Sequence, residues 1–178
     1  MNKFDAKYQL YNEKMIDAMI QLLQKKSFDA ITVTDICRTA GIQRSTFYAH
    51  YSDPYELLQD MANQALKSFW AYWEAHVPQN HEPKINKENV KVFFSYVQEH
   101  QEQVRVLFTE PPTVFWEPIL NWLMECMKPI TKDPEHIRYT AIFYLSGVVN
   151  VASRWLYTGC QESVDSLCDL IFSCLPNQ

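Results

Sequence analysis

The stretch "TVTDICRTAGIQRSTFYAHY", residues 32–51, decides the fold of this chain. Thr32 followed by Asp35 is a capping box, in which the hydroxyl accepts from a first-turn amide and the carboxylate reaches back. It predicts a short helix over residues 33–40. Gly41 then supplies the left-handed or open conformation that ends this helix and turns the chain into a second short one. Two short helices joined by a glycine turn are typical of a helix-turn-helix unit.

The second short helix is predicted over residues 44–50, and longer amphipathic helices flank the pair. Apolar residues at spacings of three and four predict a helix over residues 8–23. Asp53 as cap and Pro54 at the first helical position predict another that runs to about Ala75. After the polar segment "HVPQNHEPKINK", the same patterns predict four more helices, over residues 86–109, 113–127, 134–157 and 162–175.

These elements predict an all-α protein with a three-helix head at residues 1–52 and a larger helical bundle at residues 53–178. The 178 residues can bury a substantial core, since 47% are hydrophobic. Only three glycines are present, which is few for the sharp turns of a strand-rich fold.

Charge is divided between head and body. Residues 1–50 hold seven Lys and Arg against five acids, a net +2, and the remainder holds nine against sixteen, a net −7. A mildly basic head on an acidic body is typical of a nucleic-acid-binding head with a separate regulatory body.

The sequence also indicates the cellular compartment in which we expect the protein. The N-terminal "MNKFDAKYQLYNEKM" lacks the apolar core of a signal peptide, and the five cysteines form no C-x-x-C pair. The most apolar segment, residues 139–157, is interrupted by Asn150, Ser153 and Arg154, which favours a buried helix over a membrane span. We therefore expect a cytoplasmic protein without a membrane segment.

The second helix of the pair carries side chains suited to reading DNA in the major groove. Arg44 can fork to the O6 and N7 of guanine and Gln43 can pair with adenine, while hydroxyls contact phosphates or bases. Ile42 and Phe47 should face the small core. An ordinary solvated helix surface is the alternative. The predicted DNA-binding residues are Thr34, Gln43, Arg44, Ser45, Thr46, Tyr48 and His50.

The run over residues 31–58 resembles the DNA-binding signature of the TetR/AcrR family of transcriptional regulators. The matching residues, in register without a gap, are Thr32, Val33, Asp35, Ile36, Ala40, Gly41, Ile42, Thr46, Phe47, Tyr48, His50, Tyr51 and Leu57. The resemblance implies an all-helical homodimer whose three N-terminal helices bind a double-stranded operator. It also implies that the C-terminal part holds a small-molecule effector pocket and the dimer interface.

Two positions depart from the family's pattern. Gln43 stands where Ser usually caps the recognition helix, a weaker cap by about 1 kcal/mol. Pro54 stands where the family often has a Lys for a phosphate contact. Because phosphate contacts position the protein and base contacts specify the sequence, we expect modest, salt-sensitive operator binding.

Residues 143–171 resemble the end of the Gram-positive AcrR-like branch, with Gly147, Trp155, Leu156 and Gly159 in the corresponding places. Physically, Gly147 allows close helix approach, and two apolar helices can pair with their copies around a two-fold axis. Burial against their own subunit is the alternative. The predicted dimer residues are Tyr144, Gly147, Val148, Trp155, Leu167 and Ile171.

Aromatic residues concentrate in the body, where they indicate either plain core or a pocket for an apolar or planar ligand. The candidate ligand-binding residues are Trp70, Trp73, Phe94, Phe108, Trp116 and Trp122. No catalytic set, metal site or cofactor motif stands out. Thiol-based sensing by Cys160, Cys168 and Cys174 is a further hypothesis, although free cysteines are commonly buried and inert.

Two functions remain open. The first is a ligand-responsive repressor that binds a palindromic operator as a dimer and is released by a small apolar or aromatic effector. The second is a co-regulator on the same fold, whose weakened phosphate contacts make it act mainly through protein partners.

Overall fold

The computed structural model describes residues 3–77, 86–109, 113–128 and 132–173, and across these ranges the protein is all-α, as predicted. A 3-10 turn at Phe28–Ala30 follows the first helix. None of the helices in these ranges is long and apolar enough to cross a membrane. The helices are α1 (Lys3–Leu23), α2 (Val33–Ala40), α3 (Arg44–Tyr48), α4 (Pro54–His76), α5 (Lys87–Glu99), α6 (Gln101–Thr109), α7 (Thr113–Met127), α8 (Pro134–Tyr157) and α9 (Val164–Ser173).

The predicted helix over residues 86–109 is wrong in one respect, because it is two helices. His100 breaks it with φ −116° and ψ 34°, outside the helical region. The interruption makes α6 a separate short segment that can take its own direction. The second helix of the pair, α3, is also two residues shorter than predicted, and α9 begins at Val164 rather than at residue 162.

The local signals around the helix-turn-helix are confirmed. The hydroxyl of Thr32 accepts from the amide of Asp35 at 3.2 Å, and the Asp35 carboxylate accepts from the amide of Thr32 at 3.1 Å. Lys26 donates to the same carboxylate at 2.7 Å. These bonds, the one from Lys26 foremost, hold the pKa of Asp35 well below its usual range. Gly41 ends α2 with φ 65° and ψ 39°, the left-handed conformation that glycine adopts at little cost.

One hydrophobic core fills the head and continues into the body. Phe47, Ile36 and Leu57 are completely buried in it, together with apolar residues of α1 and α4. Val106 and Leu107 of α6 belong to the same core. The division between residues 52 and 53 therefore does not coincide with a gap in packing, and the two-domain boundary stays a prediction.

Two further cores lie in the body. The larger joins α4, α5, α6, α8 and α9 around buried side chains that include Phe94, Trp155 and Leu167. The smaller joins α7 and α8 around Leu123 and Ile137. Both α4 and α6 contribute to the head core and to the larger body core, so these two helices connect the cores.

A buried polar group ties the head to α4. The hydroxyl of Tyr51 donates to the carboxylate of Asp60 at 2.6 Å and also contacts the amide oxygen of Asn12 on α1. Asn12 and Gln64 donate to the same carboxylate at 3.3 Å and 3.0 Å. Burial, and then the hydrogen bond to Asp60, raise the pKa of Tyr51 well above its usual value. This group of side chains holds the segment that follows α3 against both α1 and α4.

Tyr51→Phe should therefore lower the free energy of unfolding by about 1–3 kcal/mol, since it leaves the carboxylate of Asp60 without its shortest donor. Urea unfolding followed by circular dichroism measures the change. Tyr48→Phe is the matched control, because Tyr48 is 52% exposed and its hydroxyl serves no buried group. Equal losses in the two variants would contradict the structural role given to Tyr51.

Candidate nucleic-acid interface and internal cavity

Three of the predicted DNA-binding side chains lie together on the exposed side of the helix-turn-helix. The guanidinium of Arg44 donates to the hydroxyl of Tyr48 at 3.2 Å and to that of Thr34 at 3.4 Å. The guanidinium carbon of Arg44 also lies 5.9 Å from the centre of the Tyr48 ring. All three residues are exposed. The contacts limit the rotamers of Arg44 and present its charge at the surface, where a planar fork can meet phosphate or guanine.

The remaining polar residues of this surface surround Arg44. Gln43 and Ser45 are exposed, and Thr46 is half-buried. Gln43 adopts the extended conformation of an N-cap, yet its side chain makes no capping hydrogen bond. The amides of Thr46 and Phe47 donate to the carbonyl oxygen of Gln43 at 3.0 Å and 3.2 Å, so the backbone of Gln43, and not its side chain, begins the helix.

His50 lies differently from the other predicted residues. Its ring stacks on Tyr8 of α1 with centroids 3.9 Å apart and meets Tyr11 edge-on at 6.3 Å. Its Nδ1 is buried and has no hydrogen-bond partner among the described residues. The His50 side chain is therefore packed against α1. A phosphate contact by His50 stays a prediction, which this packing disfavours.

Burial lowers the pKa of His50 from its ordinary value of 6.5, because the imidazolium form is poorly solvated there. The unfolded chain then takes up the proton more readily, so the head should lose stability as pH falls below about 6.5 towards the folded pKa. Thermal unfolding between about pH 7.5 and 5.5 measures this loss. His50→Phe keeps a stacked ring and should flatten the profile; an unchanged profile would show that another group titrates.

The body contains an internal cavity between α4, α5, α6, α7 and α8. About 90 Å³ of it is accessible to the centre of a water molecule. Its lining is almost entirely apolar and rich in aromatic rings. Beyond those rings, aliphatic residues such as Val97, Leu107 and Val148 complete the wall. Leu107 lies both in this wall and in the head core, so the cavity directly adjoins the packing of the head.

Four of the six candidate ligand-binding residues line this cavity, namely Trp73, Phe108, Trp116 and Trp122. Phe94 does not, because it is completely buried in the larger body core, 5.7 Å from the ring of Trp155. Trp70 packs behind the wall against Trp73 and Trp122, at 6.4 Å and 5.9 Å between ring centroids. The prediction missed the rings of Phe69, Phe93 and Tyr96, which share the lining. Phe69 lies four residues before Trp73 on α4, and Phe93 lies three residues before Tyr96 on α5.

The predicted dimer residues do not form one surface. Trp155 and Leu167 are only 2% and 7% exposed within their own subunit, so a partner cannot contact them and both assignments are corrected. Tyr144 and Val148 line the cavity, and Ile171 is half-buried against the larger body core. Gly147 is exposed, with open space where a Cβ would stand.

The apolar side chains of α8 and α9 that are largely exposed to solvent are not the predicted dimer residues. Tyr139, Phe143 and Tyr157 of α8 are 69%, 70% and 77% exposed, and Leu170 of α9 is 57% exposed. Tyr139, Phe143, Gly147, Asn150, Arg154 and Tyr157 follow one another at spacings of three and four, which places them on one face of α8. We call this face the α8 stripe. Its apolar character was hidden in the sequence, because α8 carries apolar residues on its other faces as well.

The thiol hypothesis finds little support in the geometry. Cys168 is completely buried and Cys160 partly buried, and burial raises the pKa of both thiols. A raised pKa disfavours the reactive thiolate. Cys174 lies outside the described residues. No group of three or more potential metal ligands occurs in the part of the chain that the structure describes.

Residues 15–61 match the model of the family described as bacterial regulatory proteins, tetR family. The match spans the helix-turn-helix together with the end of α1 and the start of α4. An uncharacterized HTH-type transcriptional regulator of Bacillus subtilis, YwcC, is 40% identical over 50 residues, which are 28% of this chain and 22% of that protein. An uncharacterized HTH-type transcriptional regulator of Haemophilus influenzae is 25% identical over 148 residues, covering 77% of this chain and 71% of that one.

Solved structures of TetR-like proteins extend the likeness to the whole fold. A TetR-like transcriptional regulator from Rhodococcus sp. RHA1 has a TM-score of 0.70 at 19% identity, covering 92% of each chain. The regulator FadR from Bacillus subtilis, solved in complex with stearoyl-CoA, has a TM-score of 0.69 at 13% identity, covering 90% of this chain and 95% of that one. The fold of this chain is thus similar to that of these regulators in the body as well as in the head.

Proposed function

We propose that this protein is a cytoplasmic, ligand-responsive transcriptional regulator that binds a palindromic DNA operator as a homodimer, most simply as a repressor. The observation that carries the proposal is the exposed group of Arg44, Tyr48 and Thr34 on a TetR-family helix-turn-helix. An exposed guanidinium at the start of the second helix occupies the position from which such helices contact base edges.

The cavity supports regulation by a small apolar effector. Leu107 of α6 lines the cavity while it packs in the head core, and Glu102 of α6 accepts a hydrogen bond from Gln24 after α1 at 2.6 Å. A ligand that displaces α6 would therefore change how the head is held. Binding would shift the population towards a state whose two heads no longer match two half-sites.

The α8 stripe supports dimerisation. Tyr139, Phe143 and Tyr157 expose large apolar surfaces that a monomer would leave in water, and an exposed patch of this kind marks an interaction surface. Gly147 in the same stripe leaves room for a second helix to approach closely. The stripe therefore replaces Trp155 and Leu167 as the proposed dimer contact.

Phe143→Glu should shift the protein from dimer to monomer, because a carboxylate on each copy would be buried without a partner at the interface. Sedimentation velocity at micromolar concentration measures the change. Arg138→Glu, an exposed change on the same helix outside the stripe, is the control and should leave the dimer intact. A dimer that persists in Phe143→Glu would contradict the assignment of the interface.

Selection from a random double-stranded DNA library tests the proposed function. The purified protein is expected to enrich two inverted half-sites whose centres lie about 10 base pairs, or a multiple of that, apart. Enrichment of a single half-site would exclude the dimeric geometry. The alternative of a co-regulator that acts through protein partners rests on the uncapped Gln43 and on Pro54, and absence of any enriched sequence at low salt would favour it.

A further inference from the structure

The chemistry of the cavity wall restricts the effector. Resting on the proposed function, we infer that the cavity binds an uncharged, ring-bearing compound and excludes anionic ligands, long-chain acyl-CoA among them. The likeness to acyl-CoA-binding regulators concerns the fold, at 13% identity to the stearoyl-CoA complex. The lining side chains of this chain indicate a different ligand class.

No charged residue is among the described residues that line the cavity. The hydrogen-bonding side chains there are Asn89, Tyr96 and Tyr144, together with the neutral indole N–H donors of the lining tryptophans, Trp73, Trp116 and Trp122. The hydroxyl of Tyr96 already donates to the carbonyl oxygen of Ala65 at 3.1 Å. An ionic group inside would lose its hydration without gaining a counter-charge, which opposes its entry strongly.

Aromatic rings on five helices line the same space. Trp73 and Trp122 meet edge to face with centroids 4.9 Å apart, and the rings of Phe108 and Trp116 lie 5.5 Å apart. Phe93 is nearly parallel to Phe108, with 18° between their planes. Rings arranged in this way can receive another ring between faces and edges. A rigid ring ligand also loses less conformational entropy on binding than a long acyl chain.

The surroundings offer little to an anionic head group. Residues 51–178 hold nine Lys and Arg against sixteen Asp and Glu, so the field of the body repels anions. The cations on α5, which carries part of the lining, are engaged with α9: Lys87 with Asp169, and Lys91 with Asp165 at 2.5 Å. On α6, Arg105 donates to the carbonyl oxygen of Leu156 at 3.1 Å. The polyanionic head group of CoA would find Lys87 and Lys91 already paired with carboxylates, and Arg105 already directed at a backbone carbonyl.

A matched pair of fluorescent probes tests the inference. N-phenyl-1-naphthylamine is uncharged, and 1-anilinonaphthalene-8-sulfonate has the same ring system with an added sulfonate. Fluorescence titration of the full chain should give a dissociation constant at least about tenfold lower for the uncharged probe. Lauroyl-CoA and stearoyl-CoA should not displace it. The inference would be overturned if the sulfonate probe bound as tightly as the uncharged probe or more tightly, or if neither probe bound. It would also be overturned if acyl-CoA displaced the uncharged probe, or if displacement showed that the cation ethidium binds more tightly than the uncharged probe.

Val148→Lys adds a cation to the wall and should reverse the preference between the probes. Val149→Lys makes the same change one residue away, outside the lining, and should leave the preference unaltered. Melting curves of both variants exclude unfolding as the cause, and the wild-type titration decides the inference even if Val148→Lys does not fold. DNA binding without uncharged-probe binding contradicts this inference alone, whereas failure to bind DNA contradicts the proposed function and leaves the probe result standing.

Discussion

Phe47→Ala should lower the free energy of unfolding by about 3–5 kcal/mol, the range for removing a large ring from a packed core. Phe47 is completely buried, and its ring lies 5.6 Å from that of Tyr48 and 6.0 Å from that of Tyr51. The helix that carries it, α3, has only five residues. A helix this short is not stable by itself, so the packing of Phe47 holds it in place.

Urea unfolding of Phe47→Ala followed by circular dichroism gives this number. Tyr55→Ala is a suitable control, because it also removes an aromatic ring close to the head but from a side chain that is 45% exposed. We expect the control to lose about 1 kcal/mol or less. If Phe47→Ala lost no more than the control, α3 could not be held by the core as the structure shows.

Arg44→Ala should raise the dissociation constant for the operator by about ten- to a hundredfold, the effect of losing a bidentate base contact together with a charge. Folding should be unaffected, since Arg44 is exposed and makes only surface contacts with Thr34 and Tyr48. Those contacts also predict that Tyr48→Phe weakens operator binding by a smaller factor, because it removes the hydroxyl that accepts a hydrogen bond from the Arg44 guanidinium and so leaves that guanidinium less constrained.

Fluorescence anisotropy with a labelled operator measures the loss. Arg38→Ala is the matched control: it removes one positive charge from the same domain, from a side chain that is 74% exposed and paired with Asp35. A general charge effect would appear equally in both variants. Equal losses in Arg38→Ala and Arg44→Ala would therefore show that α3 is misassigned as the recognition helix.

The head could be predicted from sequence because its signals are local. The capping box of Thr32 and Asp35, the left-handed Gly41 and the first-turn Pro54 each specify the backbone within a few residues. The burial of Phe47 followed from those boundaries. Where tertiary contacts decided, the prediction was less complete, as at His50, which packs under Tyr8 from a helix more than forty residues earlier in the chain.

The limit of prediction from sequence is clearer in the body. All faces of α8 carry apolar residues, so the sequence could not tell Trp155, which enters the subunit's core, from Phe143, which faces solvent. The break at His100 has no glycine or proline to announce it. Aromatic residues at helical spacing likewise do not show which ring faces a cavity; Phe93 lines it and its neighbour Phe94 does not.

Gel-shift titration of the purified protein against the DNA upstream of its own coding region, at two salt concentrations, tests the central claim most directly. We predict a saturable shift at low salt that weakens markedly at higher salt, because several phosphate contacts release counterions. Arg44→Ala in the same titration should bind far more weakly at both concentrations. No shifted band at low salt, or a band that is indifferent to Arg44, would contradict the claim that this helix-turn-helix reads DNA.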